Sequence, residues 1–470
     1  MDSGTAVSTT RLKRSLTLRD LILYGIIVIQ PVAPMSVYGV LSDRGHGHVV
    51  TTILIAMVGM LFTAFSYGRM ARVYPSAGSA FTYVGQEINP VLGFITGWSM
   101  VMDYMLNPMI CIIWCSQLAH VFAPHVPYAV WAVFFAGVFT VLNVQGIKTS
   151  ARVNTLLATG MGVVIAIFFV AAARYVFGNS HDGTAFFTRP FFDPTTWDTR
   201  AVFGATSIAV LSYIGFDGIS TLSEEAENPR RNILLATVLT CFAIGILSAL
   251  EVYAAQLIWP ASKPFPNTDT AFAYVAGHAW APLFAVVGFT LLVANFGSGM
   301  GAQIGAARLL YGMGRSKALP ESFFGAVDAK RHVPRNNVLF VGVLALIGAL
   351  LVEVTIHRTT VCKVGDGEST LFCYGLGAEM LNFGALIAFM GVNLAAFVHY
   401  FLRQNQRTFL NLAAPLAGFL ICLALWLGLS TPAKIAGVIW LAVGIGFGAW
   451  KTRGFRGTLI NFDLPEEDGE

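Results

Sequence analysis

The chain has 470 residues, of which 56% are hydrophobic and 11% charged, with a formal net charge of +4 and a mean hydropathy of +0.67. A soluble domain carries roughly 25% charged residues because its surface must face water, so this composition excludes a water-soluble globular protein and makes a bilayer the solvent of the chain. The small positive charge is scattered over short loops and reports membrane orientation rather than nucleic-acid binding.

Runs of about 20 apolar residues are long enough to cross hydrocarbon, and twelve occur along the sequence. Arg11 to Arg19 leads straight into the first, 18–41, without the n-region, h-region and cleavage site of a secretory leader, so no removed leader is expected. This span carries Ile29-Gln-Pro-Val-Ala-Pro34 and is predicted to be broken there. Proline removes a backbone donor, and the groups it frees can be satisfied by a polar cavity or a ligand but not by lipid. Span two, 49–74, runs into the charged loop Tyr67-Gly-Arg-Met-Ala-Arg-Val-Tyr-Pro-Ser-Ala-Gly-Ser79. In span three, 91–120, the run Trp98-Ser-Met-Val-Met-Asp-Tyr-Met-Leu-Asn-Pro108 places Asp103 and Asn107 on one helix face, four residues apart, with Tyr104 beside them and Pro108 freeing a carbonyl nearby. Cys111 and Cys115 in the same span, like Cys241 and Cys422 in later ones, read as small buried hydrophobes.

Spans 127–145 and 152–177 precede the sixth, 201–222, which carries Ser212-Tyr-Ile-Gly-Phe-Asp-Gly218 and is predicted to be the second broken helix. Its carboxylate, Asp217, together with helix-end carbonyls favours a cation, whereas a substrate carboxylate seeks the amides of the half-helix starting at Ala33 to Ser36. Tyr213 and Phe216 either stack on an aliphatic amine or pack in the core. The loop Ser223-Glu-Glu-Ala-Glu-Asn-Pro-Arg-Arg231 reads as solvated charge by default, with inner-gate salt bridges as the alternative. Span seven is 232–257 and holds Glu251; span eight, 281–312, repeats Gly297, Gly301 and Gly305 at a spacing that lets helix backbones approach, with Asn295 and Ser298 as weaker cavity-lining candidates.

Span nine is 338–356, and span ten, 375–401, has Glu379 one turn inside, either as a partner for the second amine of a diamine or as an outer gate. Cys362 and Cys373 flank the polar stretch between these two spans, and a disulfide there or two free thiols both remain open. Spans 410–429 and 433–451 complete the set, followed by an acidic tail expected to be loosely ordered. With the N-terminus inside, the outer loops hold Arg44, Arg174, Arg189, Arg200, Lys263, Arg358, Lys363 and Lys434, eight of the 29 basic residues, and 21 lie inside, so both termini are expected to be cytoplasmic.

The sign of the buried charge is the chemical signal. Asp103, Asp217, Glu251 and Glu379 lie within spans, and no Lys or Arg is placed at comparable depth. An ionisable group in hydrocarbon faces a cavity, a partner or a transported ion, so the missing cation is expected to be a protonated substrate, a proton or a metal ion. The alternative for each acid is a protonated carboxyl or one hydrogen-bonded to Tyr, Ser or Asn. No zinc spacing, phosphate-cradling glycine loop or nucleophile elbow occurs, which disfavours an enzyme, and no metal or cofactor is expected.

On the run Tyr213-Ile-Gly-Phe-Asp-Gly-Ile-Ser-Thr-Leu-Ser-Glu-Glu-Ala-Glu-Asn-Pro-Arg-Arg-Asn232, the chain resembles the amino acid–polyamine–organocation superfamily. It is also similar to bacterial putrescine importers through Ala64-Phe-Ser-Tyr-Gly-Arg-Met70, Ala77-Gly-Ser-Ala80, Gly93-Phe-Ile-Thr-Gly-Trp-Ser99, Asp103-Tyr104, Pro108-Met-Ile110 and Leu381-Asn-Phe-Gly-Ala-Leu-Ile-Ala-Phe389. The resemblance implies an all-α membrane protein of 12 transmembrane helices in the inner cell membrane, with a leucine-transporter-like five-plus-five inverted repeat. Residues 18–178 form the first repeat, 201–402 the second, and 410–451 two added helices, flanked by cytoplasmic segments 1–17 and 452–470.

The resemblance further implies substrate positions Val32, Ala33, Pro34 and Met35 at the first break, Asp103, and Tyr213, Ile214, Gly215, Phe216 and Asp217 at the second. Some relatives carry a fifth-span lysine at an ion position, which counting from Gly146-Ile-Lys-Thr-Ser-Ala-Arg-Val-Asn154 makes Met161 here, so Asp217, Asp103 or Glu379 is the expected titrating group if a proton is coupled. The expected activity is proton-coupled import of putrescine or a related amine by alternating access. Uniport, exchange or amino acid transport in the same superfamily, and a receptor or ion channel, are the competing readings.

Overall fold

A computed structural model describes residues 14–453 except 146, 181–182, 261–262, 267–269, 329, 359–362, 365–366 and 369, and describes backbone only at 121–122, 147–154, 352–358, 363–364, 367–368, 370–376 and 378. The described chain is almost entirely helical, with one two-residue antiparallel pairing, Lys363–Val364 with Gly367–Glu368. Among the described residues ten helical segments, the interrupted Leu18–Arg44 counted as one, are long and apolar enough to cross a membrane, joined by two shorter apolar ones, Thr199–Ser212 and Arg335–Leu351. Their outward faces expose Phe134, Leu156, Phe177, Leu420 and Ile439, an apolar surface that only lipid can cover.

Helix α1 (Leu18–Ile29) starts on a capping box between Thr17 and Asp20 and stops at Gln30, whose φ of 68° is left-handed. After Pro31 and Val32, α2 (Ala33–Arg44) begins with proline in its first turn, where the lost donor was unsatisfied in any case. Then follow α3 (Val49–Val73), the short α4 (Ala80–Glu87), α5 (Pro90–Phe122), α6 (Tyr128–Gln145) and α7 (Ile147–Gly178). Beyond a four-residue α8 (Ala185–Thr188), α9 (Thr199–Ala209) ends in a 3₁₀ turn, Val210–Ser212, and the chain turns through 213–217 before α10 (Gly218–Thr221). The remaining helices are α11 (Pro229–Ile258), α12 (Ala271–Ala279), α13 (Leu283–Arg315), α14 (Glu321–Phe324), α15 (Arg335–Arg358), α16 (Thr370–Phe397), continued as a π-helical turn Val398–Arg403, α17 (Phe409–Leu427) and α18 (Thr431–Lys451).

Both predicted breaks are present, whereas α4 and α12 fall in stretches read from sequence as loop. Each is short, and tertiary packing stabilises it: Gly93 of α5 leaves room for the backbone of Gly85 on α4, and α12 lies on α13. The two half-helices of the first break are clasped by α11, α13 and α9, and α5 runs beside α13 and α16. Gly297, Gly301 and Gly305 of α13 meet Ile27, Val28 and Tyr104 respectively, so that stripe is a packing face. Cys111, Cys115, Cys241 and Cys422 are buried free thiols. The Cys362 to Cys373 bridge lies outside the described residues.

Candidate functional site

The two breaks meet. Gly215 has a φ of +120°, and a Cβ on it would lie 2.7 Å from Val28 Cγ1 and 3.2 Å from the amide of Ile29, so the second break is pressed against the end of α1. The carbonyl of Val28, freed by the interruption, accepts from Ser298 Oγ at 2.6 Å. Gln30 Nε2 reaches Asn295 Oδ1 at 3.4 Å, so α13 supplies the polar groups that lipid lacks.

Asp217 sits at the N-cap of α10, not at the end of the half-helix before it as expected from the sequence. Its Oδ1 accepts from the amide of Gly215 at 3.2 Å and its Oδ2 from the hydroxyl of Tyr104 at 2.6 Å. The turn after Gly215 reverses the chain enough to aim donors at the carboxylate, which linear reading does not foresee. Asp103 is buried on α5 within Coulombic reach of Asp217. Gly384 of α16 brings its backbone against Ser99 and Asp103, closing the space around that turn. Tyr67, on α3, lies within reach of both charges.

One helical turn along α5, a cavity of about 40 Å³ is lined by Gln30, Ala33, Ser36, Asn107, Ile214 and Asn295, with Cys111 and Ser298 beside them. At 10–15 Å³ or more per water this space holds roughly three waters, too little for an organic solute. Of the residues singled out from sequence, Ala33, Asn107, Ile214, Asn295 and Ser298 line it. Val32, Pro34 and Met35 are buried beside it. Tyr213 turns away, donating to the carbonyl of Ile53, and Phe216 packs on Tyr67 and Phe389 at 5.8 and 5.1 Å between ring centroids. Gln30 and Cys111 were not read as lining, and Ser36 entered only through its backbone amide, because the lining is set by which helices converge.

The ends of the bundle are closed by charge. On one side Arg44 at the end of α2 lies 3.6 Å from Glu379 of α16, and Glu379 Oε2 also accepts from the amide of Ser430. On the other, Arg308 forks onto both oxygens of Glu225 at 2.5 and 3.0 Å, both residues being buried, and Arg315 forks onto Glu224 at 2.7 and 2.9 Å. Two expectations are thereby corrected. The 223–231 loop is not merely solvated charge, and a buried arginine does exist within the spans, though committed to Glu225 and not to Asp103 or Asp217. Ser15 and Leu16 donate to the carbonyl of Glu225, so the N-terminal segment lies across the same closure.

The amino acid permease model matches residues 31–427. The chain is 33% identical over 465 residues to the low-affinity putrescine importer PlaP of Escherichia coli strain K12, covering 97% of each. It is 25% identical to the branched-chain amino acid permease BcaP of Bacillus subtilis over 92% of each, and 26% identical to the chloroplastic cationic amino acid transporter 6 of Arabidopsis thaliana, over 80% of this chain and 67% of that one. With a family match across both breaks and a bundle that only a bilayer can solvate, this chain belongs to the amino acid permease family of membrane transporters.

Proposed function

We propose that the protein imports putrescine, or a cationic amine close to it, across the inner cell membrane by alternating access, with proton coupling. The observation that carries this reading is the pair Asp103 and Asp217, buried in Coulombic reach of one another beside two facing helix breaks, with no Lys or Arg among the described residues acting on Asp103. Two neighbouring carboxylates in a medium of low dielectric attract a cation strongly, and the bilayer offers none. The substrate class rests on the likeness to the E. coli putrescine importer. In this reading the twelve crossings comprise a five-plus-five inverted repeat, 18–178 and 201–402, followed by 410–451, with both termini cytoplasmic.

In this reading the small cavity belongs to a closed form, with the Arg44–Glu379 pair closing the outer end of the bundle and the Arg308–Glu225 pair the inner end. Opening of either closure admits solute to the breaks. Substrate contacts then come from Val32 to Met35, Asp103, Tyr104, Asn107, Ile214 to Asp217 and Asn295. Uptake of labelled putrescine by cells with Asp103→Asn or Asp217→Asn tests the proposal. Both variants are expected to reach the membrane and fail to transport, and wild-type rates in both would end it.

A second reading, amino acid transport, is favoured by Ala33 and Ser36 lining the cavity at the N-terminus of α2, where backbone amides suit an α-carboxylate. Competition separates the two. Diamines are expected to block uptake under the first reading, and amino acids alone under the second.

A further inference from the structure

Glu251 lies within α11, seven residues before its end, and is fully buried. Neither of its carboxyl oxygens has a hydrogen-bond partner. Titratable groups on the helices packed against α11 are engaged elsewhere or stand apart: Tyr24 on α1 donates to Gly301, Arg44 on α2 meets Glu379, Arg69 on α3 binds Asn411, and His278 on α12 meets Tyr175 on α7. Tyr38 on α2 and Tyr67 on α3 have unpartnered hydroxyls of their own, and among the described residues no charged group acts on Glu251.

The glutamate does not stand alone on its helix. Thr240 Oγ1 and Ser248 Oγ are also buried without partners, and at 3.6 residues per turn Thr240, Ser248 and Glu251 fall within an arc of roughly 80° that rises about 16 Å. Thr240 lies against α1 and α10 at Gly25, where its methyl and Ile219 crowd the same spot. Asp217 holds the N-cap position of α10, so at Thr240 the helix that carries Glu251 lies against the element that leads out of the second break. Bilayer and packed side chains offer such groups nothing, so their partner is water or a proton.

We propose that Glu251 takes up the coupling proton, and that Ser248 and Thr240 mark its connection to the second break. This rests on the transport reading above. With the bundle closed, nothing compensates a negative charge at Glu251, so the carboxyl holds its proton there; the anion is tolerated only where an opened form admits water. That difference ties proton release to conformation, which is what coupling requires. One proton adds to the carboxylate from the outer side and the same proton leaves inward, with no bond made to the solute.

Full-length protein in liposomes provides the test, through counterflow of labelled putrescine without a gradient and accumulation driven by an acidic exterior, with a trapped pH dye. Glu251→Gln is expected to keep counterflow within about twofold of wild type, to lose accumulation at least tenfold and to lose interior acidification, and Glu251→Asp to recover both. Accumulation and acidification persisting in Glu251→Gln overturn the proposal, as does equal loss of counterflow and accumulation at an unchanged unfolding temperature, or a wild type indifferent to the gradient. Should Glu251→Gln not fold, Glu251→Asp decides: a displaced pH profile of accumulation is expected, and one superimposable on wild type overturns it. A wild type without putrescine counterflow removes the amine reading, and Glu251 is then judged by the same assays with leucine.

Discussion

The hydroxyl of Tyr104 donates to Oδ2 of Asp217 at 2.6 Å, joining residues 113 apart in sequence. It binds the unbroken α5 to the second broken helix. A hydrogen bond to a charged group contributes about 1.5–3 kcal/mol, so Tyr104→Phe is expected to lower kcat/KM for uptake by roughly tenfold to a hundredfold. Initial-rate uptake with immunoblotted membrane protein checks this; an unchanged kcat/KM would place the bond outside the transport cycle.

Gly215 is the other point at which the breaks touch. Any side chain there combines a left-handed backbone with a Cβ 2.7 Å from Val28 Cγ1, and strain of that kind costs of order 1–3 kcal/mol. Gly215→Ala is therefore expected to lower the unfolding temperature in detergent and to abolish uptake. Retention of both would mean that the contact at Val28 is soft.

The buried pair of Arg308 and Glu225 sits on the closing face opposite Arg44. Removing one member leaves an uncompensated charge at a cost of roughly 3–5 kcal/mol, whereas replacing both with apolar residues is often tolerated. Arg308→Met alone should depress expression and thermal stability severely. The double variant Arg308→Met with Glu225→Leu should recover most of the stability, as read by thermal unfolding, but leave the inner closure weakened.

Arg44 and Glu379 form a different kind of contact, because Arg44 is 56% exposed. Exposed pairs contribute about 0–1 kcal/mol. Glu379→Gln should hardly alter unfolding, yet it should raise the labelling rate of a cysteine placed at Asn107 from outside, by biasing the carrier toward the open form. The charge-swapped pair, Arg44→Glu with Glu379→Arg, should return labelling to the wild-type rate.

Several features were legible without coordinates. The apolar runs follow from composition, since a chain with 11% charge has no other solvent than lipid, and the helices begin and end within a few residues of those runs. Proline and glycine act locally, so Gln30-Pro31 and Gly215 announced both breaks from sequence. Asn107 and Asn295, polar in apolar surroundings, were likewise visible, and both line the cavity.

What the tertiary structure alone decided is which of these residues touch. Hydrogen bonds and ion pairs between distant segments depend on helix rotation and on the path of a turn, which periodicity leaves free. Asp217 was foreseen as a helix-end acid and proves to sit at the start of α10, held by Tyr104; the loop acids Glu224 and Glu225 were read as solvated by default, with inner-gate salt bridges as the alternative, and prove to be forked by Arg315 and Arg308. Glu251 was one buried acid among four, and only the packing around α11 leaves it without a partner. A sequence states what each side chain can do, and packing selects the neighbour that lets it.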